Sequence, residues 1–158
     1  MKKARLILSA SLLALAGFTL TFSSCTKDEE SCPVGKEGKK CDTEVRTKYY
    51  NTYRGNGTMT PEDDSTQTFT NWGLKFSEPT GSDFTKLHTN LIDENDASQL
   101  AFDVTLSTNT TFNVVAFTTN DGYSYTGNGT INETSASLSL TETYSGNTFV
   151  YEFPIMTK

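Results

Sequence analysis

Apolar and polar residues alternate along most of the chain that follows Tyr49. The alternation is clearest in residues 102–106 (FDVTL), 138–141 (LSLT) and 149–155 (FVYEFPI). Because successive side chains of a strand point to opposite faces, a period of two predicts half-buried β-strands. The predicted strands are residues 49–60, 66–77, 84–91, 99–106, 110–118, 122–131, 136–144 and 147–156.

Short turn segments separate these strands at hairpin distance. Residues 120–122 (NDG) and 145–147 (SGN) are of the types that accept the positive φ of tight turns. Threonine and aromatic residues are abundant after Tyr49, and they favour a pleated sheet over a helix. Eight short strands predict an antiparallel meander, and eight is a number at which a sheet closes into a small barrel. The predicted fold class is therefore all-β, an antiparallel meander of about eight strands that closes into a barrel, with a β-sandwich as the alternative.

Residues 82–92 admit two interpretations. Phe84, Leu87 and Leu91 lie at helical spacing, and Ser82 stands where a helix cap would be. The threonine and asparagine residues of the segment are poor helix formers, and they favour a strand.

Two seven-residue segments resemble each other. Residues 53–59 (YRGNGTM) and 125–131 (YTGNGTI) share a tyrosine, two glycines and a final apolar residue, which would all lie on one face of a strand. Glycines at such positions let a neighbouring element approach closely or let the strand bend at a barrel corner. A hairpin turn at each Asn-Gly pair is the alternative.

Residues 1–24 have the three zones of a bacterial lipoprotein signal peptide. A basic start precedes an apolar run over residues 6–22, and two serines lead to Cys25. The run is short and polar for a transmembrane helix. We therefore expect cleavage before Cys25 and acylation of its thiol with palmitate-type chains, which would anchor the mature protein in a membrane.

Cys32 and Cys41 are the two thiols that remain, and an exported chain permits a disulfide between them. Residues 32–42 resemble the last disulfide loop of an EGF-like module, although the other cysteines of such a module are missing. Two thiolates without a nearby histidine fall short of a zinc site. The predicted organisation is a signal peptide at 1–24, a flexible tether with one disulfide loop at 25–48 and the barrel domain at 49–158.

Charge is distributed unevenly along the exported chain. Residues 25–48 carry six basic and six acidic side chains, whereas residues 49–158 carry four basic and thirteen acidic ones. Such an acidic domain repels phosphate groups, which argues against nucleic-acid binding and leaves the lipid as the membrane attachment. Residues 26–30 (TKDEE) resemble the surface-export signal of Bacteroidota-type lipoproteins. The expected location is the outer membrane, at the cell surface, with a periplasm-facing orientation as the alternative.

The sequence contains no recognisable catalytic constellation. His88 is the single histidine, and no Gly-x-Ser-x-Gly motif accompanies it. The acidic segments 62–64 and 93–96 fall between strands but lack the spacing of a calcium loop. A glycosidase pair of Glu62 and Glu142 is conceivable, yet nothing in the pattern brings the two together. We therefore expect no enzyme activity, no metal and no cofactor, with a hydrolase as the least favoured alternative.

The sequence combines the disulfide loop with the aromatic segment 48–53, the Gly-x-Gly-Thr-Ile of residues 127–131 and two alternating strands near the end. This combination resembles small Bacteroidota-type surface lipoproteins with a lipocalin-like (calycin) barrel. The resemblance implies no reaction. An eight-stranded barrel either fills its interior with side chains or holds one small ligand, and aromatic residues suit both. We expect a non-enzymatic binding or structural envelope component, with an envelope protein as a candidate partner. The alternative is a carrier of a small apolar or carbohydrate ligand. The aromatic residues available for either role are Tyr53, Trp72, Phe76, Phe102, Phe112, Tyr123, Tyr125, Tyr144, Phe149, Tyr151 and Phe153.

Overall fold

The computed structural model describes residues 31–62 and 65–158. Cys25 and the predicted leader lie outside the described residues. The elements in chain order are β1 (Lys36–Glu37), β2 (Thr43–Glu44), a 3-10 helix (Val45–Tyr49), β3 (Thr52–Pro61), β4 (Gln67–Ser77), β5 (Lys86–Ile92), β6 (Ser98–Leu106), β7 (Thr111–Thr118), β8 (Ser124–Ile131), β9 (Ser135–Tyr144) and β10 (Asn147–Thr157).

Strands β3 to β10 form one closed antiparallel barrel. Each strand pairs with the next along the chain, and β10 pairs with β3 to complete the ring. The predicted all-β meander of eight strands is confirmed. The β-sandwich alternative is wrong, because one continuous ring of paired strands replaces two packed sheets. The short strands β1 and β2 form a separate two-stranded sheet.

The up-and-down topology gives the barrel two different ends. We call one the hairpin end, and it is where β3 leads to β4 and where residues 93–97, 119–123 and 145–146 connect the later strands. We call the other the helix end, and its connections are residues 78–85, 107–110 and 132–134. The turn predicted within residues 145–147 is confirmed at Ser145 and Gly146, because both have positive φ and Tyr144 pairs with Asn147 across them.

Alternation along each strand fills the barrel with apolar side chains. In β9, for example, Ala136, Leu138 and Leu140 are buried while the serines between them are more exposed. The interior is most densely filled toward the helix end. There Phe76 makes edge-to-face contacts with Tyr53 and Phe112, with ring centroids 5.8 Å and 5.7 Å apart.

Strand β5 resolves the ambiguity of residues 82–92 in favour of a strand. Leu87, Thr89 and Leu91 are buried, and the residues between them are partly exposed, as a period of two requires. The helical interpretation is wrong because β5 gains backbone hydrogen bonds from β4 and β6 on both sides. Tertiary pairing of this kind overrides weak local helix propensity.

A short helix closes one end of the barrel, where the sequence predicted the start of the first strand. Val45–Tyr49 is helical, so β3 begins at Thr52 instead of Tyr49. Val45 and Tyr49 are buried in the core, and the Tyr49 hydroxyl donates a hydrogen bond to the backbone carbonyl of Asn109. The aromatic residue that marks the predicted strand start thus seals the helix end.

The disulfide loop is attached to the same end. The predicted Cys32–Cys41 disulfide is confirmed. The backbone N–H of Gly35 donates to Oδ1 of Asn109 at 2.8 Å, and Nδ2 of Asn109 donates to the carbonyl of Lys36 at 3.1 Å. Residues 31–48, which the sequence interpretation placed in the tether, therefore contact the barrel and belong to one compact unit with it.

The two resembling segments are strand interiors, and hairpins form at neither. Gly57 and Gly129 face the interior, where rings occupy the space that a side chain would need. The ring of Phe153 lies against Gly57, and the ring of Phe112 lies against Gly129. The close-approach interpretation of these glycines is therefore correct.

Strands β6 and β7 are the least paired neighbours in the barrel. They pair at three positions near the helix end and separate toward the hairpin end. Ring stacking continues where the backbone pairing stops, because Phe117 stacks on Phe102 and on Tyr125 with centroids 6.1 Å and 4.9 Å apart. Toward the hairpin end, stacked side chains therefore replace backbone hydrogen bonds between β6 and β7.

Candidate functional site

One acidic residue stands in the inward-facing row of β9. Ala136, Leu138, Leu140 and Glu142 occupy successive inward positions, and only 8 % of Glu142 is exposed. The same alternation that buries the leucines therefore buries a carboxylate. Burial of an ionised group is costly unless hydrogen bonds or an opposite charge compensate it.

Two tyrosines surround this carboxylate. The Tyr151 hydroxyl on β10 donates a hydrogen bond to Oε2 of Glu142 at 3.0 Å. Tyr125 on β8 is the direct cross-strand partner of Glu142. Burial first, and then the neighbouring Glu142 carboxylate, raise the pKa of Tyr125 and of Tyr151 above the ordinary tyrosine value. Both phenols therefore keep their protons at neutral pH.

The carboxylate and both tyrosines line a cavity of about 290 Å³ at the hairpin end of the barrel. Its walls are mainly apolar, and its polar groups are few. The lining residues are Phe69, Trp72, Leu91, Gln99, Leu100, Tyr125, Leu140, Glu142 and Tyr151. A concave apolar site with a few converging polar groups is the usual form of a small-molecule site.

The aromatic wall of the cavity is a packed cluster. The Phe69 and Trp72 ring centroids are 4.3 Å apart, and the Phe69 and Tyr151 rings are nearly parallel at 6.2 Å. A bulge carries both Phe69 and Trp72 to the inner side of β4, because Asn71 between them adopts a positive φ of 55°. The wall of the cavity therefore depends on a break in the alternation of β4.

The described residues supply no cationic partner to the Glu142 carboxylate inside the cavity. None of the ion pairs formed within residues 31–62 and 65–158 includes Glu142. The amide nitrogen of Gln99, a second polar lining group, donates to Oδ2 of Asp93 at 2.9 Å. The described residues thus offer the cavity interior a carboxylate and neutral groups.

A larger depression of about 390 Å³ lies on the outer face of β7 to β10. It is open to solvent, and its outward-facing lining residues include Asn113, Asn128, Ser139 and Glu152. Glu152 already accepts a hydrogen bond from Ser139 at 2.7 Å. The outer groove does not combine exposed rings with a buried polar group, so the interior cavity is the stronger candidate site.

Of the sequence-predicted candidates for chemistry, Glu142 lines the cavity, whereas His88, Asp93 and Glu62 do not. His88 is on the outer face, with Nδ1 2.9 Å from Oδ1 of Asp103. Asp93 caps its own turn by accepting hydrogen bonds from the backbone of Asn95 and Ala97. Glu62 is exposed in the β3–β4 hairpin, in contrast to the buried Glu142.

Two further observations concern the described residues only. Residues 31–62 and 65–158 contain no cluster of histidine, cysteine, aspartate or glutamate side chains that could hold a metal ion. No helix in these ranges is long and apolar enough to cross a bilayer. Asp63 and Asp64, which belong to one of the two acidic segments, lie outside the described residues.

Comparisons with protein-family models, curated proteins and solved structures found no match to this chain.

Proposed function

We propose that this chain is an exported, lipid-anchored barrel protein that binds a small ligand without transforming it, and that the ligand occupies the cavity at the hairpin end. The observation that carries the proposal is the combination of an aromatic wall with the buried Glu142–Tyr151 hydrogen bond in a space of about 290 Å³. A volume of this size suits a molecule with one or two rings.

The distribution of aromatic residues supports binding over a purely structural role. Toward the helix end, Tyr53, Phe76 and Phe112 are almost fully buried and contact one another as a packed core. Toward the hairpin end, Phe69 and Trp72 are only partly buried and border empty space. Protein interiors are close-packed, so a cavity of this size at the end of an otherwise filled barrel favours an occupant.

Anchoring and location follow from the leader. Cys25 is the acylation site in this proposal, and the mature protein is a Bacteroidota-type lipoprotein of the outer membrane, displayed at the cell surface. Labelled palmitate should enter the wild-type chain and not Cys25→Ala. Protease treatment of intact cells should remove the protein from the surface. Equal labelling of both chains contradicts the anchor, and full protection in intact cells contradicts surface display.

A native mass spectrum of the detergent-extracted protein tests the binding function. We expect a small molecule to travel with the wild-type chain. Leu100→Phe adds bulk to the cavity lining and should reduce the retained ligand, whereas Val115→Phe, at an exposed position on β7, is the matched control. A spectrum that shows only the acylated polypeptide, before and after incubation with cell extract, would favour a structural envelope component.

A further inference from the structure

We infer that the ligand of the hairpin-end cavity is a small organic cation, a primary or substituted amine attached to an apolar or aromatic body. The inference rests on the proposed binding function and adds the charge class of the ligand. It is carried by the placement of Glu142 among aromatic side chains inside the barrel.

Glu142 lacks a positively charged partner within the described residues. Glu142 is nine-tenths buried, and no lysine, arginine or histidine within the described chain pairs with it. The Tyr151 hydroxyl provides one hydrogen bond but no positive charge. An ammonium group in the cavity would supply the opposite charge that a buried carboxylate normally has.

The aromatic side chains around Glu142 also favour a cation. Phe69, Trp72, Tyr125 and Tyr151 all line the same cavity as Glu142. Aromatic faces attract cations through their quadrupole, and cages of such rings recognise ammonium groups in proteins. A carboxylate within an aromatic wall therefore offers a cation two kinds of attraction, and it offers a neutral molecule only apolar contact and hydrogen bonds.

The site disfavours anionic ligands. A fatty acid or another anion would place its charge beside Glu142 in a region of low dielectric constant, where like charges repel strongly. The barrel domain adds to this effect, because its thirteen acidic side chains outnumber its four basic ones. The same field concentrates cations near the protein.

The test compares three probes of nearly equal size that differ in charge: phenethylamine, 2-phenylethanol and phenylacetate. Binding to the full chain in detergent is measured by calorimetry. The fluorescence of Trp72, the single tryptophan, reports whether the probe enters the cavity. We expect the amine to bind about tenfold more tightly than the alcohol, and phenylacetate to bind most weakly.

Glu142→Gln is the decisive variant because it keeps the size and an acceptor oxygen and removes the charge. It should abolish the preference for the amine and leave the affinity for the alcohol within about twofold. Glu152→Gln is the matched control, since Glu152 is exposed on the neighbouring strand and faces outward. This control should change neither affinity.

Each other result overturns the inference in a recognisable way. One contrary result is equal affinity for the amine and the alcohol, and another is an amine preference that survives in Glu142→Gln. Either would show that a ligand binds but that Glu142 does not select it by its charge. In that case the proposed binding function stands. If no probe binds while the native spectrum shows a neutral or anionic ligand, the charge class alone is wrong. If no probe binds and no molecule travels with the protein, the binding function fails as well.

Discussion

The ring of Phe153 lies so close to Gly57 that a Cβ on Gly57 would stand 2.3 Å from two ring carbons. Gly57→Ala should therefore destabilise the barrel by about 1–3 kcal/mol, because the ring must move within a filled interior. Chemical denaturation of the full chain measures the loss. In a Phe153→Leu background the same substitution should cost clearly less, and equal costs in both backgrounds would show that the two residues are not coupled.

Glu142→Gln should not weaken the fold. The substitution removes a buried charge that lacks a cationic partner within the described residues, and its amide oxygen can still accept the hydrogen bond from Tyr151. We expect thermal stability that is unchanged or higher, by up to about 2 kcal/mol. Thermal unfolding with Glu152→Gln as the reference measures this effect. A loss of more than about 1 kcal/mol would mean that the charge itself holds the hairpin end together.

Strongly alkaline solution should unfold the barrel. Burial is the main cause that raises the pKa of Tyr53 from its ordinary value of 10.0 to about 12. The folded protein therefore holds the phenolic proton more tightly than the unfolded chain does. This contribution to stability is complete below pH 10 and disappears as the pH rises toward about 12.

Burial acts in the same direction on Tyr125 and Tyr151. In a spectrophotometric titration, the exposed tyrosines should ionise first. The tyrosinate signal of the buried tyrosines should appear only at the pH where circular dichroism reports unfolding. If all tyrosines ionise near the ordinary tyrosine pKa while the fold stays intact, the phenols are not buried as described.

Asn109→Ala should release the disulfide loop from the helix end. The substitution removes the side-chain bonds to Gly35 and Lys36, and we expect a loss of about 1–3 kcal/mol together with faster proteolysis before Thr52. Asn113→Ala is the control, because Asn113 is exposed on the outer face of β7. Equal proteolysis of both variants would mean that Asn109 does not fasten the loop.

The strands of the barrel could be predicted because their signal is local. A period of two is visible within five or six residues, and closure follows once eight such segments are joined by short turns. Even the ambiguous segment around Leu87 and Leu91 was interpreted correctly as a strand from its poor helix formers. The helix at Val45–Tyr49 escaped prediction because its support comes from Asn109, which is distant in the sequence.

The candidate site was only partly visible in the sequence. The alternation of β9 assigns Glu142 to the inward face, after Ala136, Leu138 and Leu140. A pairing of Glu142 with Glu62 misses this position. The period-two alternation along β9 is the sequence signal that identifies Glu142 as inward-facing. The cavity itself could not be predicted, because it depends on the bulge at Asn71 and on how rings from different strands meet.

The pairing of β10 with β3 joins the first and last strands of the barrel. These strands lie far apart in the sequence, and contacts of that kind form late and slowly during folding. A chain that lacks β10, its last strand of eleven residues, cannot close the ring, and it leaves β3 and β9 as exposed edges. β10 must therefore have been synthesised before the cylinder can shut, so the nascent protein has to be protected from edge-to-edge aggregation until that strand is available.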